Sequence, residues 1–242
     1  MENPIYIGLS RQAQLRREIG VVANNIANMD TTAFKRQINI NQAYNERIRH
    51  GEKLAFVIDI STALDLQEGG FKVTGNSMDV ALRGQGYFQV DDGASVKYTR
   101  NGSFALDDQN RLVTQQGNLV LDDQARPIVV PGGGTSLNIA GDGSITYDDV
   151  EIGRLGVVEF QNPEDLKASR DSMFISDEPP QPAEDTRVIQ GSLETSNVNP
   201  IVEMTEMIEI HRTYESVKRL MDQENERQKQ VAQRLARPLQ SG

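Results

Sequence analysis

The chain has 242 residues, of which 37% are hydrophobic and 5% aromatic, and its mean hydropathy is −0.51. Such a composition supports a modest core with extended polar parts rather than one large core. The formal net charge of −10 argues against non-specific binding to nucleic acid or anionic lipid, and the absence of cysteine excludes disulfides and cysteine-ligated metals. No apolar run is long enough to predict a membrane span, and the first residues do not have the pattern of a cleaved Sec signal peptide.

The first segment, residues 1–29, is predicted to be an amphipathic helix. Asn3 and Pro4 are typical of a helix start. Along the helix, a seam of residues recurs at alternating spacings of three and four, which is the rhythm of a helix–helix contact. The seam positions are Ile5, Gly8, Gln12, Leu15, Ile19, Val22 and Ile26.

The middle of the chain changes from a mixed pattern to a β pattern. Residues 30–75 form a connecting segment of mixed character, in which 56–62 alternate like a strand. Residues 76–190 are short apolar runs separated by Gly, Asn and Asp, and this pattern predicts an antiparallel meander of hairpins. No helical pattern separates the runs, so a parallel sheet is not expected.

The last segment, residues 191–242, carries a second predicted helix over 199–237, opened by Asn199 and Pro200. Its seam continues the same spacing at Met207, Ile210, Tyr214, Val217 and Met221. Neither helix can bury its apolar seam alone, so the two must pair with each other, with other subunits, or with both. The expected fold class is α+β, with a coiled-coil layer of the two terminal helices and an antiparallel β-rich central domain.

No residue pattern favours an enzyme, a metal site or a cofactor site. The acid pairs at 91–92, 107–108, 122–123 and 148–149 fall between the predicted strands, where Asp stabilises turns. Residues 141–149 lack the full register of a calcium loop, and residues 131–136 lack the lysine of a phosphate-binding loop. The histidines, His50 and His211, are far apart in the sequence and belong to no ligand-spaced cluster. A helix-surface or interface role is therefore favoured for His211.

Three ordered motifs resemble the flagellar axial family of rod and hook proteins. Residues 23–28, ANNIAN, followed by TAFK at 32–35, resemble the family's rod motif. Residues 78–90 with the YTRNGSF stretch at 98–104 resemble its central motif, and GSLETSNVN at 191–199 resembles its closing motif. The sequence departs from the family at Ala33, where the family usually has Gly. A positive φ at that position would strain an Ala by about 1 kcal/mol.

The resemblance implies a non-enzymatic structural protein of the flagellar basal-body rod. Such a protein would self-assemble with other rod proteins into a shaft that transmits torque across the periplasm, after export through the flagellar type III apparatus. Length and the junction at 196–200 favour the proximal part of the rod over the distal part. A soluble β-domain binding module or enzyme with helical oligomerisation ends stays open as an alternative, and it would need a cleft with clustered acids or aromatics.

The polar residues of the first motif require an explanation of their own. We predict that Asn24, Asn25 and Asn28 set the register between subunits, with Phe34 packing near the helix end, because a polar group in a helix seam fixes register. On this hypothesis, Asn25→Leu stabilises isolated helix contacts and impairs assembly. The alternative is that these residues simply end the helix, since Asn and Thr are poor helix formers.

Overall fold

The computed structural model describes residues 3–47, 53–132 and 137–235, with side chains described for 6–40, 62–132 and 137–233. The chain divides into two compact units. The described part of the first, the helical unit, consists of residues 3–27, 37–47, 53–63 and 199–235. The described part of the second, the central unit, consists of residues 28–36, 64–132 and 137–198.

The helical unit contains both terminal helices, α1 (Asn3–Ala27) and α2 (Pro200–Leu235). It also contains the strands β1 (Gln37–Arg47) and β2 (Lys53–Leu64), which pair as a two-stranded sheet, although Leu64 itself is assigned to the central unit. Asn199 caps α2, since its Oδ1 accepts hydrogen bonds from the backbone N–H groups of Ile201 at 3.1 Å and Val202 at 3.4 Å. Both predicted helices and the strand predicted at 56–62 are confirmed.

The two helices pack in opposite directions through the predicted seam. At one end of the pair Gly8 faces Met221, and at the other end Asn25 bonds Glu203. Between them lies a small apolar cluster in which Leu15, Val22 and Ile210 are buried. The other members are partly buried: Ile19, Ile26, Met207, Tyr214 and Val217. Three buried apolar side chains among the described residues are a thin core for helices of 25 and 36 residues.

The central unit is built of short strands in chain order. Their bounds are β3 (Phe71–Val73), β4 (Val80–Arg83), β5 (Tyr87–Asp91), β6 (Val96–Thr99), β7 (Phe104–Leu106), β8 (Leu112–Thr114), β9 (Leu119–Val120), β10 (Leu137–Ile139), β11 (Ser144–Tyr147), β12 (Val150–Arg154), β13 (Val157–Glu159), β14 (Lys167–Ala168), β15 (Met173–Ile175), β16 (Gln181–Pro182), β17 (Arg187–Gln190) and β18 (Ser192–Glu194). A 3-10 turn spans Pro163–Asp165.

The pairing in the central unit is antiparallel, as the meander pattern predicts. The largest sheet has the order β14-β15-β6-β5-β9-β8-β7, with β13 joining β5 to β16. A three-stranded sheet follows the order β10-β11-β12, and β17-β4 and β18-β3 are two-stranded ribbons. The last two ribbons join the start of the unit to its end, since β3 and β4 pair with the two final strands.

Two apolar clusters fill the central unit. One is aliphatic with an edge-to-face pair of Phe88 and Phe104, whose ring centroids are 5.1 Å apart. The other is aromatic and centres on Phe160, which meets Tyr98 edge-to-face at 4.8 Å. Gly102 is required by packing, because a Cβ there would come within 1.7 Å of the Val80 carbonyl oxygen. The two clusters give this unit a closed core of its own.

The repeated LDDQ sequences form equivalent turns. Asp107 Oδ1 accepts from the backbone N–H groups of Gln109 and Arg111, each at 2.9 Å. Asp122 Oδ1 accepts from those of Gln124 at 2.9 Å and Arg126 at 2.8 Å. The Arg111 amide lowers the pKa of Asp107 below its ordinary value, since it bonds the charged form. The turn interpretation of these acid pairs is confirmed.

The segment 30–75, predicted as one connector, is divided between the units. Residues 37–63 belong to the helical unit with β1 and β2, whereas 28–36 and 64–75 belong to the central unit. Hydrophobic periodicity gives no information on this division, because it reports a residue's local face and not the distant chain that covers it.

Candidate assembly surfaces and buried polar clusters

Asn25 is the polar centre of the helical unit. Its side chain is 1% exposed, its Nδ2 donates to the Gln37 carbonyl at 2.9 Å and to Glu203 Oε2 at 3.0 Å, and its Oδ1 accepts from the Gln37 N–H at 2.9 Å. One amide thus joins α1, β1 and α2, and it satisfies both backbone groups of Gln37. Glu203 is fully buried in this contact. Within the subunit, Asn25 fixes how far α1 lies along α2.

The structure separates the other predicted register residues. Asn24 is half-buried on α1 in the helical unit, whereas Asn28 and Phe34 lie in the central unit. Asn28 accepts from the Thr31 hydroxyl at 3.1 Å, and the Phe34 carbonyl accepts from the Asn197 N–H at 3.3 Å. Of the predicted seam, all positions from Leu15 onward meet in the helix pair; the side chain of Ile5 lies outside the described residues.

A second polar cluster is buried in the central unit. Lys35 Nζ lies 2.7 Å from Glu194 Oε1, and their side chains are 1% and 0% exposed. Arg100, also buried, has its Nη1 3.5 Å from Glu194 Oε2 and its guanidinium over the Tyr87 ring at 5.1 Å. Lys35 also donates to the Gln67 carbonyl at 2.7 Å. We call these three charged residues, Lys35, Arg100 and Glu194, the ionic cluster.

The electrostatics of the ionic cluster are set by burial. Burial lowers the pKa of the Lys35 ammonium, because it disfavours the charged form, and the adjacent Glu194 carboxylate opposes this shift. Glu194 Oε2 and Arg100 Nε have no hydrogen-bond partner among the described residues. The single carboxylate of Glu194 therefore holds two buried cations, and removing it would leave both without their closest counter-charge.

Asn197 joins the chain segments beside the ionic cluster. Its Oδ1 accepts from the Arg36 N–H at 2.7 Å, and its Nδ2 donates to the carbonyls of Asp65 at 2.8 Å and Gln67 at 3.0 Å. The Asp65 N–H in turn donates to the Arg36 carbonyl at 2.8 Å. Three distant parts of the sequence, near residues 36, 65 and 197, are therefore held together by one amide.

Sequence reasoning found the motifs but not what their charged residues do. Lys35 ends the first motif, Arg100 lies in the second and Glu194 in the third. The sequence feature that could have indicated the ionic cluster is a charged residue inside an otherwise apolar or turn-forming motif. It did not reveal the pairing, because the partners are up to 159 positions apart.

Both helices carry a second stripe on a face adjacent to the seam, rotated from it by about 100° because each stripe position follows a seam-side position by one residue. On α1, the exposed positions recur at spacings of three and four: Tyr6, Leu9, Ala13, Arg16, Gly20, Ala23 and Ala27. On α2, Ile201, Met204 and Ile208 are 77%, 49% and 52% exposed. A helix that is apolar on two faces has more apolar surface than one partner covers. Within the described residues, no helix is long and apolar enough to cross a membrane, and no acid, His or Cys cluster could hold a metal.

Comparison with known proteins matches three family models to these same regions. Residues 5–35 match the Flagella basal body rod protein model, residues 81–147 the Flagellar hook protein FlgE/F/G D1 domain, and residues 189–234 the Flagellar basal body rod FlgEFG protein C-terminal model. Each charged residue of the ionic cluster falls in a different one of the three matches. The chain belongs to the flagellar basal-body rod protein family, whose members are structural proteins of the rod.

Individual relatives match almost the whole chain. The flagellar basal-body rod protein FlgF of Caulobacter vibrioides is 37% identical, covering 98% of this chain and 99% of the relative. FlgF of Rhizobium meliloti is 32% identical over 91% of this chain and 92% of the relative. The flagellar basal-body rod protein FlgG of Bacillus subtilis is 28% identical over 93% of this chain and 96% of the relative. The similarity thus extends through both units.

Proposed function

We propose that this chain is a rod subunit of the FlgF type, which assembles with copies of itself and with other rod proteins and transmits torque. Support for the FlgF type comes from near full-length relatives of that name. The distal rod protein is the alternative within the family, since FlgG relatives are also similar over most of the chain. Family membership further supports a position across the periplasm and export through the flagellar type III apparatus.

The observation that carries self-assembly is the second apolar stripe on the helices. Ile201 and Ile208 are exposed on a helix that already packs through a different face, so they require a further partner to be buried. Small residues at the exposed positions of α1, such as Ala13, Gly20 and Ala23, would let a neighbouring helix approach closely. We therefore propose that the antiparallel helix pair is the building block of a coiled-coil inner layer.

The proposed roles of the asparagines follow from where they lie. Asn25 sets the register of α1, β1 and α2 within one subunit through its three hydrogen bonds. Asn24 and Asn28 are proposed to contribute to the register between subunits, with Phe34 packed at the helix end. No reaction is assigned to any of these groups, and their function is mechanical.

The alternative of a binding module or enzyme needs a cleft, and the central unit has a groove lined by Gln89, Arg154 and Thr186 among others. Its volume is about 790 Å³, and none of its described lining residues is aromatic. Two of its charged residues, Asp142 and Arg154, are within 3.8 Å of each other and form an exposed ion pair. A sugar-binding site is expected to present aromatic faces, so this groove favours the structural function.

Site-specific labelling tests the proposal directly, because the chain has no cysteine. Asp108 is exposed in a turn of the central unit and accepts a Cys without loss of a hydrogen bond among the described residues. A dense label on an Asp108→Cys variant that supports motility should appear on the lower rod of purified hook–basal bodies. Label on the upper shaft would assign the distal rod instead, and absence of label from the particle would overturn the rod function.

A further inference from the structure

We propose that copies of this chain associate head to tail, with the exposed stripe Ile201, Met204 and Ile208 of one copy docking into an apolar groove on the helix pair of the next. The inference deepens the proposed function and rests on it for the choice of a second copy as occupant. It assigns a donor surface, the α2 stripe, and an acceptor surface, the helix groove, to different positions on the same unit.

The helix groove is described by the residues that line it. It has a volume of about 300 Å³ and is lined by Ile7, Gly8, Arg11, Val217 and Leu220. Leu220 is 61% exposed at its edge. Gly8 makes the groove possible, because the absence of a side chain there lets Met221 lie against the α1 backbone. An apolar side chain of branched or thioether type fits such a space.

The α2 stripe offers side chains of that kind. Ile201, Met204 and Ile208 are spaced by three and four residues, so they lie on one face of the helix. That face differs from the seam, where Met207 and Ile210 pack against α1, and its three side chains are 77%, 49% and 52% exposed. The stripe is therefore available to a second molecule without disturbing the helix pair.

Charge complementarity favours a second copy as the partner. Residues 200–210 of α2, which carry the stripe, contain three glutamates and no Lys or Arg. Glu203 is buried against Asn25 and Glu206 is half-buried, so Glu209 is the exposed acid beside the stripe. The groove region has an excess of positive charge: α1 carries Arg11, Arg16 and Arg17 against Glu18 over residues 11–18, and α2 carries Arg212, Lys218 and Arg219 against Glu215 over residues 211–221. The carboxylate of Glu209 is exposed and makes no ion pair or hydrogen bond among the described residues. Opposite charges at the two surfaces steer one copy onto the next.

The two surfaces do not coincide, and this favours an open chain of copies. Met204 and Val217 are separated by about 20 Å along α2 at ~1.5 Å per residue. A contact between two different surfaces closes into a ring only if the rotation from copy to copy permits it, and otherwise leaves one surface of each type free at the ends, where further copies add. Reciprocal use of both surfaces would instead close a pair, so the size of the product distinguishes the two arrangements.

Disulfide trapping of the full-length chain tests this contact. Met204→Cys and Leu220→Cys are made separately, and each new thiol is unique because the chain has no cysteine. Under mild oxidation, a mixture of the two variants should give a cross-linked dimer, and neither variant should cross-link alone. The double variant should give a ladder of dimers, trimers and longer chains. Met204→Cys mixed with Gln230→Cys, an exposed α2 position outside the groove, is the matched control and should stay monomeric.

A charge reversal supplies an independent measurement. Glu209→Lys in the Met204→Cys chain should lower the cross-linked fraction several-fold at low salt, and Arg11→Glu in the Leu220→Cys chain should restore it. Three results would overturn the inference: cross-linking of either single variant with itself, dimers alone from the double variant, or no cross-linking of the mixture. Incorporation of the unsubstituted chain into basal bodies is measured separately. If the chain is found in the rod but the cross-link does not form, the head-to-tail contact is wrong and the proposed function stands. If the chain is absent from the rod, the proposed function is wrong.

Discussion

The central unit and the helical unit differ in how far each buries its apolar side chains. The central unit encloses two apolar clusters and an ionic cluster whose charged groups meet inside the unit. Among its described side chains, the helical unit has three buried apolar ones and leaves Tyr6, Leu9, Ile201, Ile208 and Leu220 exposed. The central unit closes a core within one chain, whereas we propose that the exposed side chains of the helical unit are buried by other chains. In a protein that assembles, the unit with exposed apolar side chains is the one expected to contact other subunits.

The largest loss of stability is expected from a substitution that breaks the ionic cluster of the central unit. Glu194→Gln keeps the size of the side chain but leaves the buried Lys35 and Arg100 without their shared counter-charge. We expect the free energy of unfolding of the central unit to fall by about 3–5 kcal/mol. Urea unfolding followed by the near-ultraviolet signal of the buried tyrosines measures it. Glu151→Gln on exposed β12 is the control, and an equal loss there would contradict the role of the cluster.

The next effect is in the thin core of the helical unit. Leu15 is 1% exposed, so Leu15→Ala is expected to lower the free energy of unfolding of the helical unit by about 2–3 kcal/mol. Urea unfolding followed by the circular dichroism signal of the helices should then have its midpoint at a lower urea concentration. Leu220→Ala removes the same atoms from a side chain that is 61% exposed, and the dilute chain should lose almost no stability. Similar losses for the two leucines would mean that the helix pair described above is not the stable form of the free chain.

A smaller effect is expected at the amide that joins α1, β1 and α2. Asn25→Ala leaves the Gln37 backbone groups and one Glu203 oxygen without the bonds they make to it, which should cost about 1–3 kcal/mol. Asn25→Leu should destabilise the helical unit for the same reason, in contrast to the stabilisation expected from the seam pattern. Thermal unfolding of both variants decides between these expectations: a raised midpoint for Asn25→Leu would favour the inter-subunit role.

A gain in stability is expected at Ala33 in the central unit. Its φ is 55°, in the left-handed region, and its side chain is fully buried. The Ala33 N–H donates to the Glu194 carbonyl at 2.9 Å, so the strained conformation is held by a hydrogen bond. Ala33→Gly should relieve the strain and raise the unfolding free energy by about 0.5–1 kcal/mol after the entropy of the more flexible unfolded chain is subtracted. An unchanged or lower value would mean that burial of the methyl group outweighs the strain.

The smallest effect is an acid dependence of the central unit. The Lys97 ammonium, with the amides of Ser95 and Ala94, lowers the pKa of Asp92 from 3.8 to about 2. The folded state therefore favours the charged carboxylate: this contribution to stability is fully present above pH 3.8 and is lost as the pH falls through about 2. Asp92→Asn should flatten the stability profile in that window, while Asp108→Asn should leave it unchanged. Identical profiles for the two variants would contradict the assignment.

Local patterns were sufficient to predict the elements and insufficient to predict the contacts between distant segments. The three-and-four spacing correctly predicted the two helices, in which Leu15, Val22 and Ile210 share one buried cluster, and the LDDQ repeats correctly predicted turns. The positive φ at Ala33 agrees with the departure seen in the motif. The ionic cluster and the bonds of Asn197 were not predicted, since the spacing of residues does not report which remote carbonyl or charge a side chain will meet. The division of residues 30–75 was missed for the same reason.

The pairing of Lys35 with Glu194 has a consequence for the order of folding. The two residues are 159 positions apart, so closing this contact fixes the ends of a long loop. A chain that emerges with its N-terminus first cannot close the central unit until residue 194 is free, when four-fifths of its length has passed. The contacts that close this unit are therefore formed late, whereas pairs of neighbouring strands, such as β5–β6 and β7–β8, do not depend on residue 194.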